Sequence, residues 1–489
     1  MFGVSLLVAA TLQPLAYPVH STPINGRFEE VDATGVPTGW DIVPVSPNPG
    51  FEMGITTDEN GGRVARIVRV ASPPQWAPYF GSFGQAVDAA PYRGRLVRLS
   101  ARVRALRPGQ HIGLGLRVMR PAPHSMGFYD PMRERPITAN EWRTYEIVGR
   151  VAPDATVLSY TVTATGDAEL LVDDVVVEAV EPDPAPPSPE AAAFLDRAIN
   201  LLREHHIDTR DADWDRITAN ARAEIGGARG PADTYAAIRG ILGELGDRHT
   251  FLRVPDVAPP PPPASSGGAG TGTRRAPMPR FKLVNGRFGV VRLPAHAGSE
   301  EESRLYATTL RTALQALDRH GVCGWVVDLR GNSGGNMWPM LSGLDPLLGA
   351  APFGSFITAS GEIQNWVRAS GEIQPAAASD REAPYLRLRG SALPVAVLID
   401  TATASAGEMT ATSLIGRAGV RSFGHPSNGL ITGTSSHDLG QGASLIIASA
   451  RVRDRTGQVY REKLLPDEPA ADAEAAALRW LAGQPCQLQ

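Results

Sequence analysis

The chain has 489 residues, which is too long for one ordinary domain, so two or three domains are expected. Its hydrophobic fraction of 43% and charged fraction of 20% are typical of a soluble globular protein. The net charge of −4 at pH 7 supplies no basic surface field, which excludes nucleic acid as an expected partner. Two cysteines, Cys323 and Cys486, are too few for a disulfide framework, and Cys323 is expected to be a buried core residue.

Residues 1–21 are interpreted as a signal peptide, because residues 2–16 form a short apolar run. The run is too short and too interrupted to span a bilayer, and no other segment predicts a stable membrane span. No lysine or arginine precedes the run, so the usual basic n-region is missing. An ordinary buried or disordered N-terminus is therefore the alternative. The expected location is periplasmic or secreted.

Residues 22–180 alternate short β-type runs with Gly, Pro and Asn turns, a pattern that predicts an all-β sandwich. The order of its motifs resembles that of the galactose-binding-like jelly rolls: Asn25–Glu30, Gly39–Trp40, Trp142 and Val172–Glu178. That resemblance implies carbohydrate as a candidate ligand, bound through exposed aromatic side chains. A structural or partner-docking sandwich is the alternative, and it is the favoured one.

Three segments follow the sandwich. Residues 181–189 are a Pro-rich acidic linker, and residues 190–254 are expected to form a helical subdomain because apolar residues recur near a 3.6-residue period. Residues 255–279 are a Pro/Gly-rich linker that cannot form a core. From residue 280 to residue 489, buried strands and helices alternate, which predicts a βαβ layout with a largely parallel sheet. The predicted elements are Phe288–Leu293, Ser303–His320, Trp325–Asp328 and Val395–Asp400.

Two turns in this last region can carry chemistry. A Gly-rich loop, residues 331–335, follows the strand that ends at Asp328, and its backbone N–H groups can bind a phosphate or an oxyanion. Phosphate is disfavoured, because no Gly-Lys-Ser/Thr sequence follows the loop. Ser405 lies where a strand runs into a helix; alone it is typical of a helix N-cap, but beside the Gly-rich loop it is a candidate nucleophile. Asp328 and Arg330 are expected to fix the loop structurally.

Four motifs resemble those of the S41 serine peptidases, the group of the C-terminal processing peptidases and tricorn. They occur in the family's order as Leu245–Thr250, Asp328–Asn336, Thr403–Glu408 and a closing segment from Arg455 to Asp467. The resemblance spans residues about 190 to 475. It implies a multidomain chain whose residues 280–489 form an α/β catalytic domain with a ClpP/crotonase-like fold. It also implies hydrolysis of a peptide or protein substrate without a metal or another cofactor.

The resemblance assigns a role to each motif. Ser405 corresponds to the nucleophile, and the N–H groups of Ala406 and of Gly334 or Gly335 correspond to the oxyanion hole. The processing peptidases use a lysine base, but no lysine lies between Met409 and Arg461. The tricorn-like branch instead pairs serine with histidine, and His249 stands in that position. Histidine suits the task, because its unperturbed pKa lies near neutral pH.

Other assignments stay open. His425 and His437 are rival bases, and His425 is favoured more strongly as a substrate contact. Glu462 is the nearest candidate for the late glutamate that orients the base in the tricorn-like proteins, although its surroundings depart from the family pattern. Asp247 and Glu408 are alternative orienting residues, and Thr250 offers the hydroxyl next to the histidine. His205 and His206 lie on a helix without matching ligands, so no metal site is expected there.

A second class of function competes with the peptidase. The PDZ domain of the processing peptidases is missing, and only the linker of residues 255–279 occupies its place. Some relatives of this fold bind apolar ligands without hydrolysing them. A non-catalytic protein that binds apolar ligands or carbohydrate is therefore the alternative to a serine peptidase.

Overall fold

The structure is a computed structural model, and it describes residues 18–33, 35–43, 50–71, 80–122, 126–255, 277–369, 372–376, 388–389 and 392–486. Residues 1–17 of the predicted signal peptide and residues 256–276 of the predicted Pro/Gly-rich linker lie outside the described residues. The chain forms two compact units. The first unit comprises the described part of residues 15–266 together with residues 435–447, and the second comprises the described part of residues 267–434 and 448–489.

The first unit contains a β-sandwich of two sheets, as predicted. One sheet has the order β1-β5-β10-β7-β8, with β2 also paired to β5, and the other has the order β3-β4-β11-β6-β9. The strands are β1 (Val19–His20), β2 (Asp41–Val43), β3 (Phe51–Thr57), β4 (Arg63–Arg69), β5 (Phe80–Asp88), β6 (Leu96–Pro108), β7 (His111–Met119), β8 (Met126–Asp130), β9 (Arg143–Arg150), β10 (Val157–Thr165) and β11 (Ala168–Val180).

Alternation of side chains builds this sandwich. In β6 the buried residues Leu99, Ala101 and Val103 alternate with the partly exposed Ser100 and Arg102, so one face of the strand enters the core. The two tryptophans of the jelly-roll motifs do not form fully exposed aromatic surfaces on which a sugar could stack. Trp40 is buried in the core against Phe28, and the half-exposed ring of Trp142 is covered by a guanidinium at 4.9 Å. Carbohydrate binding by the sandwich stays a prediction.

Three helices complete the first unit: α1 (Pro189–His205), α2 (Trp214–Glu224) and α3 (Tyr235–Leu245), followed by the short strand β12 (Phe251–Arg253). Ser188 caps α1, accepting a hydrogen bond from the N–H of Ala191, and α3 ends at Gly246 with φ 73°. The helices belong to the same unit as the sandwich. A buried guanidinium on α3, that of Arg239, binds the carboxylates of Asp130 and Glu134.

The second unit is built on a six-stranded sheet of order β13-β14-β15-β19-β20-β24. Strands β14 to β24 along this order pair in parallel, and β13 pairs antiparallel with β14. These elements are β13 (Arg280–Val284), β14 (Phe288–Arg292), α4 (Glu300–Arg319), β15 (Gly324–Asp328), α5 (Met337–Leu348), β19 (Val395–Ile399), α6 (Ala406–Leu414), β20 (Val420–Gly424), β24 (Glu468–Pro469) and α7 (Ala473–Ala482). The predicted parallel sheet and multidomain α/β fold are confirmed.

The remaining strands form an antiparallel sheet together with β12, which pairs with β22. They are β16 (Ser355–Thr358), β17 (Ile363–Ala369), β18 (Glu372–Ala376), β21 (Thr432–Gly440), β22 (Ala443–Arg453) and β23 (Val459–Tyr460). Strands β21 and β22 each have residues in both units. In the first unit, Leu439, Leu445 and Ile447 are buried together with apolar residues of the three helices. In the second unit, Val452 pairs with Phe356 of β16.

Apolar patterning and capping explain where these elements lie. β15 is buried along its whole length, which fits a parallel strand covered on both faces. Helix α4 begins three residues earlier than predicted, because Ser299 and Glu302 cap its first turn reciprocally. No helix in the described part of the chain is long and apolar enough to cross a membrane.

The expectation for the cysteines needs a correction. Cys323 is buried, as predicted, but it forms a disulfide bond with Cys486. The count of two cysteines argued against a framework of several bridges and gave no means of detecting a single bridge between residues 163 positions apart. The bond joins the start of β15 to the segment after α7.

Candidate active site

The two turns singled out in the sequence lie side by side, because the strands that precede them are neighbours. Asp328 at the end of β15 pairs with Leu398 of β19 in a parallel register. The loops are then joined directly. The N–H of Ala404 donates to the carbonyl of Asn332 at 2.9 Å, and the N–H of Gly331 donates to Asp400 Oδ1 at 3.0 Å. The Gly-rich loop and the turn of Ser405 therefore form one hydrogen-bonded structure.

Side chains of neighbouring residues also fix the Gly-rich loop. Arg330 forms two hydrogen bonds of 2.8 Å with the carboxylate of Asp328, as expected from the sequence. Asn332 is fully buried, and its side chain donates to the carbonyl of Leu293 and accepts from the N–H of Gly334. These contacts give the loop a fixed shape at the end of β15.

Gly334 contacts the turn of Ser405 so closely that no other residue fits. A Cβ atom on Gly334 would lie 2.7 Å from Ser405 Cβ and 3.2 Å from the backbone nitrogen of Ala406. The φ of Gly334 is 108°, a conformation that L-residues rarely adopt. Glycine is thus required here both by space and by backbone conformation.

Ser405 has an unusual backbone. Its φ is 52° and its ψ is −119°, whereas an ordinary N-cap residue has an extended conformation. A non-glycine residue in such a region costs on the order of 1–3 kcal/mol and persists only where the surroundings impose it. Ser405 is half-exposed, although Thr403, Ala404 and every residue of α6 are buried. The side chain is thus held at the surface of a buried strand-to-helix turn.

A buried carboxylate holds this turn. Glu408 Oε2 accepts the N–H of Ser405 at 2.8 Å, and Oε1 accepts the hydroxyl of Ser427 at 2.5 Å and the N–H of Gly429 at 2.7 Å. Burial raises the pKa of Glu408, and these hydrogen bonds oppose the rise. The sequence suggested Glu408 as an orienting residue for the histidine. In the structure its hydrogen bonds reach the backbone of the serine.

Two backbone N–H groups at this turn are available to a ligand. Within the described part of the chain, no group accepts a hydrogen bond from the N–H of Ala406 or of Gly335. The N–H of Gly334, by contrast, already donates to Asn332 Oδ1 at 3.0 Å. Ala406 is the first residue of α6, where the helix dipole favours a negative charge. The arrangement can bind an anionic oxygen.

The comparisons with known proteins cover the region of this site. Residues 287–470 match the model of peptidase family S41. This part of the chain is similar to an S41 peptidase domain. The match contains Ser405, Ala406 and both glycines of the loop, and it does not contain His249.

The chain is also similar to three individual proteins. The chain is 27% identical over 300 residues to the nisin-resistance protein of Lactococcus lactis subsp. lactis, covering 61% of this chain and 89% of that protein. The structure of a lipoprotein from Streptococcus agalactiae matches with a TM-score of 0.47 and 18% identity, covering 60% of this chain and 97% of that one. A family 4 carbohydrate-binding module matches with a TM-score of 0.24 and 20% identity, covering 32% of this chain and 98% of that one.

His249 belongs to the first unit, whereas Ser405 and the Gly-rich loop belong to the second. Asp247 Oδ1 accepts the backbone N–H groups of His249 and Thr250 at 2.7 and 2.6 Å, so this carboxylate fixes the backbone of the loop. Burial lowers the pKa of His249 to about 4, against an opposing effect of Asp247. The imidazole of His249 is therefore neutral at neutral pH.

The other oxygen of Asp247 binds His206, to which the sequence assigned no role in the site. His206 Nε2 lies 2.7 Å from Asp247 Oδ2, and His206 Nδ1 accepts the N–H of Asp208. The proton of His206 is therefore on Nε2, which donates to the carboxylate. Burial would raise the pKa of Asp247, but the hydrogen bonds from His206 and Thr250 hold it below its ordinary value. His206 is fully buried, and its sequence neighbours gave no signal of this contact.

The other predicted residues are dispersed. His425 is exposed at the end of β20, and its N–H donates to the carbonyl of Ile399, at the same sheet edge as Ser405. Glu462 is exposed, and its carboxylate has no hydrogen-bond partner among the described residues. His437 belongs to the first unit, where its ring stacks on His205 at 4.1 Å. The described residues include no cluster of three or more His, Cys, Asp or Glu side chains arranged to hold a metal ion.

One histidine within the residues that match the S41 model was missed in the sequence. His296 is buried, its N–H donates to the carbonyl of Gly334, and its own carbonyl accepts the N–H of Asn336. Its ring contacts Ser303 Oγ at 3.0 Å, and burial lowers its pKa. His296 thus supports the Gly-rich loop from the end of β14. Its position after a buried strand was the one available signal in the sequence.

Proposed function

We propose that the chain is a serine peptidase in which Ser405 attacks the carbonyl carbon of a peptide bond. The observation that carries the proposal is the strained backbone of Ser405, a half-exposed residue whose turn packs closely against Gly334. Strain of this kind at a strand-to-helix turn is typical of an exposed nucleophile. A structural cap would favour the relaxed extended conformation instead.

In this mechanism the N–H groups of Ala406 and Gly335 bind the oxyanion of the tetrahedral intermediate. Both groups lack an acceptor among the described residues, which supports this role over one for Gly334. Loss of one such donor typically costs about 3–4 kcal/mol of transition-state stabilisation. Burial of the surrounding turn strengthens these hydrogen bonds by excluding water.

His249 is the proposed general base: it takes the proton of Ser405 Oγ and returns it to the leaving amine. A neutral imidazole is required for the first step, and the low pKa of His249 meets that requirement. Asp247 contributes by fixing the backbone around His249. Glu462, proposed from the sequence as the orienting residue, has no contact that supports this role, and His425 is proposed as a substrate contact.

Peptides are the proposed substrate class, because the S41 model covers the whole of the Ser405 site. The relative from Lactococcus lactis makes nisin one compound to assay beside an unbiased peptide library. We also propose that the protein is exported. The disulfide between Cys323 and Cys486 supports an oxidising compartment, since such bonds are rare in the reducing cytosol.

Covalent labelling tests the nucleophile and the base. A fluorophosphonate should label the wild-type protein, and Ser405→Ala should abolish labelling, because the reagent reacts with an activated serine. His249→Ala should slow labelling by at least 100-fold, whereas His425→Ala should change it by less than 10-fold, since general-base catalysis typically contributes 10²–10⁴-fold. An unlabelled wild type would favour a non-catalytic binding protein. A loss confined to His425→Ala would reassign the base.

A further inference from the structure

We propose that Glu408 is a positioning residue that couples the turn of Ser405 to the loop of residues 425–429 after β20. This inference rests on the proposed function, since it concerns how the nucleophile is held. Glu408 is fully buried, and three groups from two separate segments donate to its carboxylate. Because both oxygens of the carboxylate accept hydrogen bonds, Glu408 fixes the position of one donor segment relative to the other.

The loop is attached to the same turn by further hydrogen bonds. The N–H of Asn428 donates to the carbonyl of Thr403 at 2.8 Å, and Asn428 Nδ2 donates to the carbonyl of Thr401 at 3.2 Å. The hydroxyl of Ser427 accepts the N–H of Leu464 at 2.8 Å while it donates to Glu408. Glu408 is thus the charged centre of a network that begins at the Ser405 backbone and ends at the closing segment.

This network can hold the strained conformation of Ser405. Glu408 Oε2 accepts the N–H of Ser405 and so fixes the direction of that bond, which depends on the φ angle of 52°. A free turn would relax to an extended backbone, which would move the side chain of Ser405 away from Gly334. The loop of residues 425–429 also carries the exposed His425, so the same carboxylate fixes a surface next to the nucleophile.

A glutamine cannot replace this carboxylate. Glu408 accepts on both oxygens, whereas a glutamine amide has one oxygen and two N–H donors. Whichever way the amide turns, its NH₂ group faces an N–H donor of either Ser405 or Gly429. Glu408→Gln therefore preserves the volume of the side chain and removes only the acceptor pattern.

The test measures fluorophosphonate labelling of Ser405 together with amide hydrogen exchange. Glu408→Gln should slow labelling by at least 10-fold, and it should accelerate exchange in peptides covering residues 403–409 and 425–431. Ser427→Ala, which deletes one donor, should produce the same pattern at smaller amplitude. Ser413→Ala is the matched control, because its buried hydroxyl lies on the same helix and donates only to the carbonyl of Thr410. It should leave labelling and exchange in both peptides unchanged.

The outcomes separate this inference from the proposed function. A folded Glu408→Gln protein that labels at the wild-type rate would overturn the positioning role while leaving Ser405 as the nucleophile. If Glu408→Gln does not fold, the Ser427→Ala protein decides, and wild-type labelling and exchange there would overturn the coupling. An unlabelled wild type would refute the proposed peptidase function. Hydrogen exchange would then still test the coupling, because faster exchange of Glu408→Gln in only one of the two peptides would refute it.

Discussion

At the scale of single residues, the surroundings fix the backbone conformation of Ser405 and the protonation state of His249. The backbone of Ser405 is held in a sparsely populated conformation by its contacts with Glu408 and Gly334. His249 is defined by its burial, which keeps the imidazole neutral far below the pH at which a solvent-exposed histidine is protonated. Each of these properties leads to a measurement.

The low pKa of His249 predicts an unusual pH dependence. A base with a pKa of about 4 stays neutral as the pH falls from 7 to 5, so labelling and kcat/KM should persist there. Activity should be lost only as the pH falls through about 4. An exposed histidine would lose half its activity near pH 6.5. The measurement is the labelling rate between pH 3.5 and 8.

Acid also destabilises the fold, and a control separates the two effects. A depressed histidine pKa contributes stability that is present above pH 6.5, the unfolded value, and is lost as the pH falls toward the folded value. Circular dichroism at each pH therefore identifies any loss that reflects unfolding. An acidic limb centred near pH 6.5 in a folded protein would contradict the proposed base.

At the scale of elements, the loop after β15 and the turn after β19 act as one structure, and Gly334 is the point of closest contact. Gly334→Ala should slow fluorophosphonate labelling by at least 100-fold, because the new Cβ would lie 2.7 Å from Ser405 Cβ and displace the turn. The labelling rate and the thermal midpoint of unfolding measure the effect.

The same loop supplies the matched control. Gly331 also has a positive φ, of 75°, but the nearest atom to a Cβ there is 3.8 Å away. Gly331→Ala should therefore incur only the backbone penalty of about 1–2 kcal/mol and should label within 10-fold of the wild type. Equal labelling of the two variants would show that crowding at Gly334 is unimportant.

Sequence patterns predicted the elements of this site better than their contacts. The apolar runs before Asp328 and Asp400 identified two buried strands, and the small residues around Ser405 identified the strand-to-helix turn. Those features are local in sequence. The bonds of Glu408 with Ser427 and Gly429 reach 19 to 21 residues along the chain, so no local period could predict them. The positive φ of Ser405 was equally unpredictable, since it is imposed by the packing around it.

At the scale of the whole molecule, the disulfide joins two distant segments of the second unit. Cys486→Ser should lower the free energy of unfolding of that unit by about 2–5 kcal/mol, because the bond restricts the unfolded chain. Cys486 is exposed, so the substitution itself buries no hydroxyl group. Urea unfolding should therefore begin at lower concentration in the variant.

A reducing agent provides the control for this prediction. It should shift the wild-type urea transition to that of Cys486→Ser and leave the variant unchanged. Coincident wild-type transitions with and without the reducing agent would contradict a stabilising bond. The pairing itself was beyond the reach of sequence analysis, since one pair of cysteines 163 residues apart carries no spacing motif.

Residues 435–447 belong to the first unit, and this limits how the gene can be divided or recombined. A gene fragment that begins after the Pro/Gly-rich segment would encode Ser405 and its loops but not the helices that bury Leu439, Leu445 and Ile447. Those apolar side chains would then be exposed in the middle of the translated product. Recombination that exchanges one unit without the other is disfavoured for the same reason. The sandwich, the helices and the S41-like region are expected to evolve as a single piece of coding sequence.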